Sequence, residues 1–242
     1  MNWENSLLMT INKNLIKSAD RVKDHGEVFT PKWMVDKMID QPEIAAKVRS
    51  LTATFLEPSA GEGAFLIEIL DRKLKYAAEL SKNAREFGNN ALMALSTLYG
   101  IELLEDNVEM LVMNMNDTFS DDYRELMADL YQKKPDQNVY NSAKTIIRAN
   151  MAQGDTLKKT DASGNPIIFS EWQPIGKTKV QRTEYTFEAI VNGDGPTGTV
   201  QHVVEEMTLD LFPNEEPETF EETPTRHFIP CKWTDIYKEE IE

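Results

Sequence analysis

The chain has 242 residues, with 26 basic and 41 acidic side chains, a formal net charge of −15, one cysteine and three histidines. That length supports a substantial core in one large or two small domains. A lone cysteine excludes an internal disulfide or a cysteine-cluster metal site. The scattered His25, His202 and His227 argue against zinc, and no apolar run approaches the roughly 20 residues of a membrane span. The opening Met1–Ser6 does not have the pattern of a signal peptide, so a cytoplasmic setting is expected. Residues 201–242 hold 12 acids and 3 bases, so −9 of the −15 is concentrated there. Neither part carries the basic footprint of an autonomous DNA binder.

Leu7, Leu8, Ile11, Leu15 and Ile16 at helical spacing predict an amphipathic helix over 4–23, ended by Gly26. Thr30 as N-cap and Pro31 at the first helical position predict another helix, carrying Met34, Val35, Met38 and Ile39 and stopped at Pro42. A strand is expected at 52–57, then a glycine turn and a helix to about Leu80. Further helices are expected at 84–97, 105–117 and 120–132, with a short strand at Leu98–Glu102. The apolar stretch around Ile146–Ala152 reads as a further strand, running into Gln153-Gly154-Asp155. Asp161–Asn165 reads as a turn, and Ile167–Trp172 and Lys179–Val191 as β-type runs. The final 40 or so residues read as an acidic, proline-dotted arm. Alternating strands and helices imply an α/β fold with a parallel sheet.

Phe55–Leu66 is the most specific stretch. An apolar strand ends in Glu57-Pro58, turns through Ser59-Ala60-Gly61-Glu62-Gly63 and re-enters an apolar helix. Glycines let backbone amides approach a ligand, and a helix start adds positive potential. The turn does not have the Gly-x-Gly-x-x-Gly spacing of a pyrophosphate site. Glu57, Glu102 and Asp155 each end a predicted strand, and strand ends of one parallel sheet line a common crevice. Singly, each reads as a solvated strand end or helix cap. Together they suit a nucleoside carrying a cation: one acid for an ammonium, one for ribose hydroxyls, one for the adenine amine. That ligand description fits S-adenosylmethionine.

Four segments carry a family resemblance. They are Gly26-Glu27-Val28-Phe29-Thr30-Pro31, Leu56 through Phe65, Tyr99-Gly100-Ile101-Glu102, and Gln153-Gly154-Asp155-Thr156-Leu157. Together they closely resemble the cofactor half of adenine-N6 DNA methyltransferases, in the restriction–modification subgroup whose Phe-Thr-Pro element comes first. The resemblance spans roughly residues 20–160 and implies a Rossmann-like methyltransferase fold, a mostly parallel sheet flanked by helices. It implies a helical segment at 1–50, a methyltransferase domain at 51–196 with a β-hairpin insertion at about 160–185, and an acidic arm at 197–242. Phe29, Thr30 and Pro31 would touch the cofactor's methionine end. Glu57, Pro58, Ser59, Ala60, Gly61, Gly63 and Phe65 would form the turn that holds its amino and carboxylate groups. Glu102 would bind the ribose, Leu103 or Ile101 would pack on the adenine, and Asp155 with Thr156 would meet the adenine amine.

The family's catalytic signature is Asn or Asp, Pro, Pro, aromatic. There an amide oxygen and a backbone carbonyl accept the hydrogens of the target amine, and the aromatic stacks on the flipped base. No such tetrad occurs here. Asn165-Pro166-Ile167 precedes an apolar run, so it reads as a turn. The better-placed Tyr185–Pro196 stretch offers Asn192 and Asp194 without paired prolines or an aromatic. The chain alone is therefore expected to be inactive, with a partner chain, a second methyltransferase or a specificity subunit, supplying the tetrad and the DNA contacts.

Pro230-Cys231 is similar to the nucleophile of cytosine-carbon methyltransferases, but it comes too late in the chain, so a structural cysteine is the commoner reading. Trp172, Trp233 and Tyr237 read as packing aromatics. Thr208–Phe212 resembles the short peptide that docks on the bacterial sliding clamp, with Thr208 where glutamine is expected. Three readings stay open: an adenine methyltransferase or its cofactor-binding subunit; a non-catalytic relative acting as regulator, decoy or assembly subunit; and a methyltransferase for protein or small molecules, against which the Phe-Thr-Pro element argues.

Overall fold

A computed structural model describes residues 29–191 and 226–241. The chain divides into two compact units, 1–45 and 46–242. In the first, helix α1 (Lys32–Ile39) starts after Pro31, whose carbonyl accepts from the amides of Met34 and Val35 at 2.9 and 3.2 Å. The cap therefore falls one residue later than Thr30, and a proline side chain offers it no hydrogen bond. Helix α2 (Pro42–Val48) begins at the expected break and spans the unit boundary.

The larger unit is mixed α/β. Strands β1 (Phe55–Glu57), β2 (Leu98–Glu102) and β3 (Met151–Gln153) form a parallel sheet in that order. All five residues of β2 are buried, as the centre of a sheet covered on both faces requires. Helices α3 (Ala64–Leu80) and α4 (Ala84–Leu95) connect β1 to β2. Helices α5 (Glu105–Tyr131) and α6 (Gln137–Asn150) connect β2 to β3. The buried stripe of α3 runs Leu66, Ile69, Leu70, Lys73, Leu74 and Ala77 at helical spacing. The α4 N-terminus is fixed by the Asn83 side chain, which accepts from the Glu86 amide, while Glu86 accepts from the Lys82 amide.

Three elements differ from expectation. The two helices anticipated between 105 and 132 are one helix, α5. The polar residues around Thr118 look like a break, but Leu111, Met115, Phe119, Tyr123 and Met127 keep one unbroken buried row with a spacing of four. Tyr123 continues it into a ring cluster with Phe87 and Phe119, at 5.3 and 5.7 Å. The stretch read as a strand before Gln153 is the end of α6, with only Met151–Gln153 extended. Asp136 caps α6 through the Asn138 amide. The run Lys179–Val191 is a strand only to Thr186 and then turns helical.

The second sheet is antiparallel. Strands β4 (Ile168–Ile175) and β5 (Lys179–Thr186) form a hairpin, and β6 (Cys231–Lys232) pairs with β5. Helix α7 (Phe187–Val191) follows β5 because the Thr186 hydroxyl accepts from the Ala189 amide, while the Phe187 amide reaches the Ile167 carbonyl. Asn150 joins the sheets. Its amide donates to the carbonyls of Ser96 and Leu98, and its oxygen accepts from the Trp172 indole at 2.9 Å. Trp172 and Trp233 are buried packing residues. Asp161 closes the turn before β4 by accepting from the amides of Ser163 and Asn165.

Candidate functional site

The parallel register places Glu57 opposite Gly100 and Glu102 opposite Gln153, so the carboxyl ends of the strands share one edge. Glu57 is the last residue of β1 and Glu102 the last of β2. Asp155 follows β3 by two residues. The larger unit thus brings all three acids to one edge, together with the turn Pro58–Gly63. Phe29, Thr30 and Pro31 belong to the first unit, directly before α1. Asn192, Asp194 and Thr208–Phe212 lie outside the described residues. The strand expected to lead into Asn192 instead ends at Thr186 in the antiparallel sheet.

The turn is tightly specified. Ala60 donates its amide to the Ile101 carbonyl at 2.9 Å, and Gly61 donates its amide to Glu102 Oε2 at 2.8 Å. Asn114, from α5, donates to the Glu62 carbonyl at 3.0 Å. Gly63 caps α3 at φ 95°, where a β-carbon would stand 2.6 Å from Leu111 Cδ1. At Gly100 a β-carbon would meet Leu66 Cδ1 at 2.9 Å and Ala60 Cβ at 3.3 Å, so the turn lies directly on β2. Thr156 ties the two outer strands together, its hydroxyl donating to the Pro58 carbonyl at 2.6 Å. Phe65 is half-buried in the first turn of α3, whereas Ser59 is exposed.

The three acids differ in their commitments. Glu102 is buried, and its second oxygen accepts from the Leu104 amide at 3.0 Å and from Asn107 at 3.4 Å. It therefore clamps the glycine turn to the start of α5. Asp155 accepts from the amides of Leu157 and Lys158 and pairs with the Lys158 ammonium at 3.1 Å. Those bonds, the Lys158 amide first, hold its carboxyl below the usual range. Glu57 is half-buried and has no hydrogen-bond or ion-pair partner among the described residues. Burial alone pushes its carboxyl up from 4.5 to about 7. Leu103 and Leu157, beside Glu102 and Asp155, are half or more exposed and give the edge an apolar rim.

Sequence reasoning missed Asn107 and Asn114, which hold Glu102 and the turn from α5. Their spacing from the strand end is the only signal, and it is visible only once the helix is known to start at Glu105.

A second concavity, of about 230 Å³, lies away from this edge, between the antiparallel sheet and the 3₁₀ helix Trp233–Lys238. Arg182 forms its floor, lying over the rings of Phe228 and Trp172 at 4.1 and 5.1 Å. Its guanidinium is fully engaged with Ser170, Glu184 and Glu239. Cys231 lines the cleft, and burial raises its thiol, so it is a poor nucleophile. The carboxyl edge is the better candidate because it combines an acid with no partner among the described residues, a left-handed glycine cap and exposed apolar side chains. No protein-family model matches the sequence, and no curated protein or solved structure matches the chain. Among the described residues, no helix is long and apolar enough to cross a membrane, and no His, Cys, Asp and Glu cluster could hold a metal ion.

Proposed function

We propose that the carboxyl edge binds S-adenosylmethionine, and that the chain is the cofactor-binding part of a DNA adenine-N6 methyltransferase with a Rossmann-like fold. The observation that carries this reading is Glu57, a carboxyl without a partner among the described residues where a parallel strand meets a glycine turn. A lone half-buried carboxylate is costly unless a cation joins it, and the methionine ammonium is such a cation. Glu102 fits the ribose side because it keeps lone pairs free while fixing the turn. Leu103 and Leu157 fit the faces of a purine. When bound, the cofactor supplies an electrophilic methyl group on sulfur. This chain's residues bind and orient it. The base-binding tetrad is assigned to a partner chain, which would also carry the DNA contacts.

Helix α5 favours that division of labour, and it also supports the second reading, a non-catalytic relative that faces a protein. It carries eight acidic residues against Arg124 alone, a surface that repels a phosphate backbone. Titration calorimetry with S-adenosylmethionine tests the cofactor. Saturable binding that Glu57→Ala weakens at least tenfold supports it, and no heat at any concentration refutes it. Labelled-methyl transfer then separates the two readings. A subunit gains transfer to DNA when a chain bearing the tetrad is added, whereas a non-catalytic relative gains none.

A further inference from the structure

The loops that follow the two outer strands of the parallel sheet are bonded to each other. β1 and β3 lie on either side of β2, so two strand spacings, about 9.5 Å, separate them. Past the strands that gap closes. Ala60 and Gly154 donate their amides to the carbonyls of Ile101 and Glu102, the last two residues of β2, both at 2.9 Å. The Thr156 hydroxyl then donates to the Pro58 carbonyl at 2.6 Å. The joined loops therefore meet across the carboxyl end of β2, where a parallel sheet opens its ligand crevice. At that end Glu102 is only 6% exposed, and its oxygens accept from Gly61, Leu104 and Asn107. The Thr156 loop is a self-contained turn. Asp155 accepts from the amides of Leu157 and Lys158, and its own amide donates to the Thr160 carbonyl at 2.8 Å. Those bonds lie inside the loop and survive a change in its position. Ser59 and Leu157, next to the bonded pair, are exposed, so their burial adds little to the closure.

We propose that the Thr156–Pro58 hydrogen bond is a latch that closes the carboxyl edge of the empty protein, and that it opens to admit the adenosine part of the cofactor. This rests on the S-adenosylmethionine reading of the same edge. One neutral hydrogen bond favours the closed form by a factor of about 3–10. The ligand binds the open form, so the closed population lowers the apparent affinity and the association rate by a similar factor. Thr156 thus acts through the position of its loop, not by touching the adenine amine.

The test is surface plasmon resonance of the immobilised full chain with S-adenosylhomocysteine, which yields both rate constants. Thr156→Val keeps the shape of the side chain and removes the donor. It should associate about 3- to 10-fold faster than wild type, with affinity tightened by the same factor and dissociation nearly unchanged. Thr156→Ser keeps the hydroxyl and should behave as wild type. A thermal melt checks that each variant is folded, and Thr156→Ala, which also removes the donor, replaces a valine variant that is not. Unchanged kinetics in the variant without the donor, or a gain that Thr156→Ser shares, overturn the latch. Slower association or faster dissociation overturns it too, because Thr156 would then be a ligand contact. Each of those results leaves the cofactor reading intact. No binding by wild type or any variant overturns both.

Discussion

Glu102→Ala should destabilise the empty protein, because this acid is part of the fold before it is part of any site. Its two oxygens receive the Gly61 and Leu104 amides at 2.8 and 3.0 Å and a longer contact from buried Asn107 at 3.4 Å. Hydrogen bonds to a charged acceptor contribute about 1.5–3 kcal/mol each, and stranding a buried donor costs a similar amount. Gly61 is half-exposed, so water can replace part of its bond. The expected loss is therefore about 3 kcal/mol rather than the full sum. For a chain of this size that corresponds to a fall of roughly 6–12 °C in melting temperature. Glu102→Gln keeps one acceptor oxygen and places an NH₂ group against a backbone amide, so it should lose about half as much. Urea unfolding followed by far-ultraviolet circular dichroism, without ligand, measures both. If Glu102 served a ligand alone, its removal would leave stability unchanged or raise it. A Glu102→Ala midpoint matching wild type would refute the clamp.

Two further substitutions probe the same architecture. Gly63→Ala forces a side chain into φ 95° and against Leu111, so a loss of about 2–4 kcal/mol is expected in the same urea assay. Lys73 is fully buried on α3, donates to the carbonyls of Ser50 and Ala53 at 2.6 and 2.9 Å, and is pushed by burial from 10.5 down to about 7. The unfolded chain then binds the extra proton between those values, so stability should rise with pH from about 7 to 10.5. Lys73→Met should remove that slope, and a wild-type stability that is flat over the window would refute the neutral lysine.

Much of the carboxyl edge is legible from local sequence because its signals are local. Leu98–Glu102 is a short apolar run closed by an acid, and Gly61 and Gly63 mark a turn that only glycine makes easily. What escaped depends on contacts distant in sequence. Helix α6 carries Asn138, Asn141, Ser142 and Asn150, which weaken its apolar period, yet Ser142 and Asn150 are buried and the latter joins two sheets. The turn from strand to helix after Thr186 depends on a backbone bond from Phe187 to Ile167, twenty residues earlier. The double role of Glu102 was equally hidden, because the sequence shows an acid at a strand end but not that Gly61 and Asn107 already occupy it.

Glu57 and Glu102 occupy equivalent strand ends, yet their substitutions should have opposite effects on the empty protein. Glu102 is satisfied by the fold, so removing it costs stability. Glu57 has no partner among the described residues and is half-buried, so removing its charge should help. Its folded value of about 7 lies above the ordinary 4.5. The folded state therefore binds more protons between these values, and stability is full below about 4.5 and declines as pH rises to about 7. Glu57→Gln should abolish that decline and stabilise the empty chain at pH 8 by about 1–3 kcal/mol, the range allowing for partial exposure. Paired urea titrations at about pH 5 and pH 8 measure the effect. Stabilisation at pH 8 together with weakened binding of S-adenosylmethionine marks a residue kept for a ligand at the expense of the fold. A destabilised Glu57→Gln would instead mean that the carboxylate holds the turn as Glu102 does, and the strand end would lose its claim to a cation.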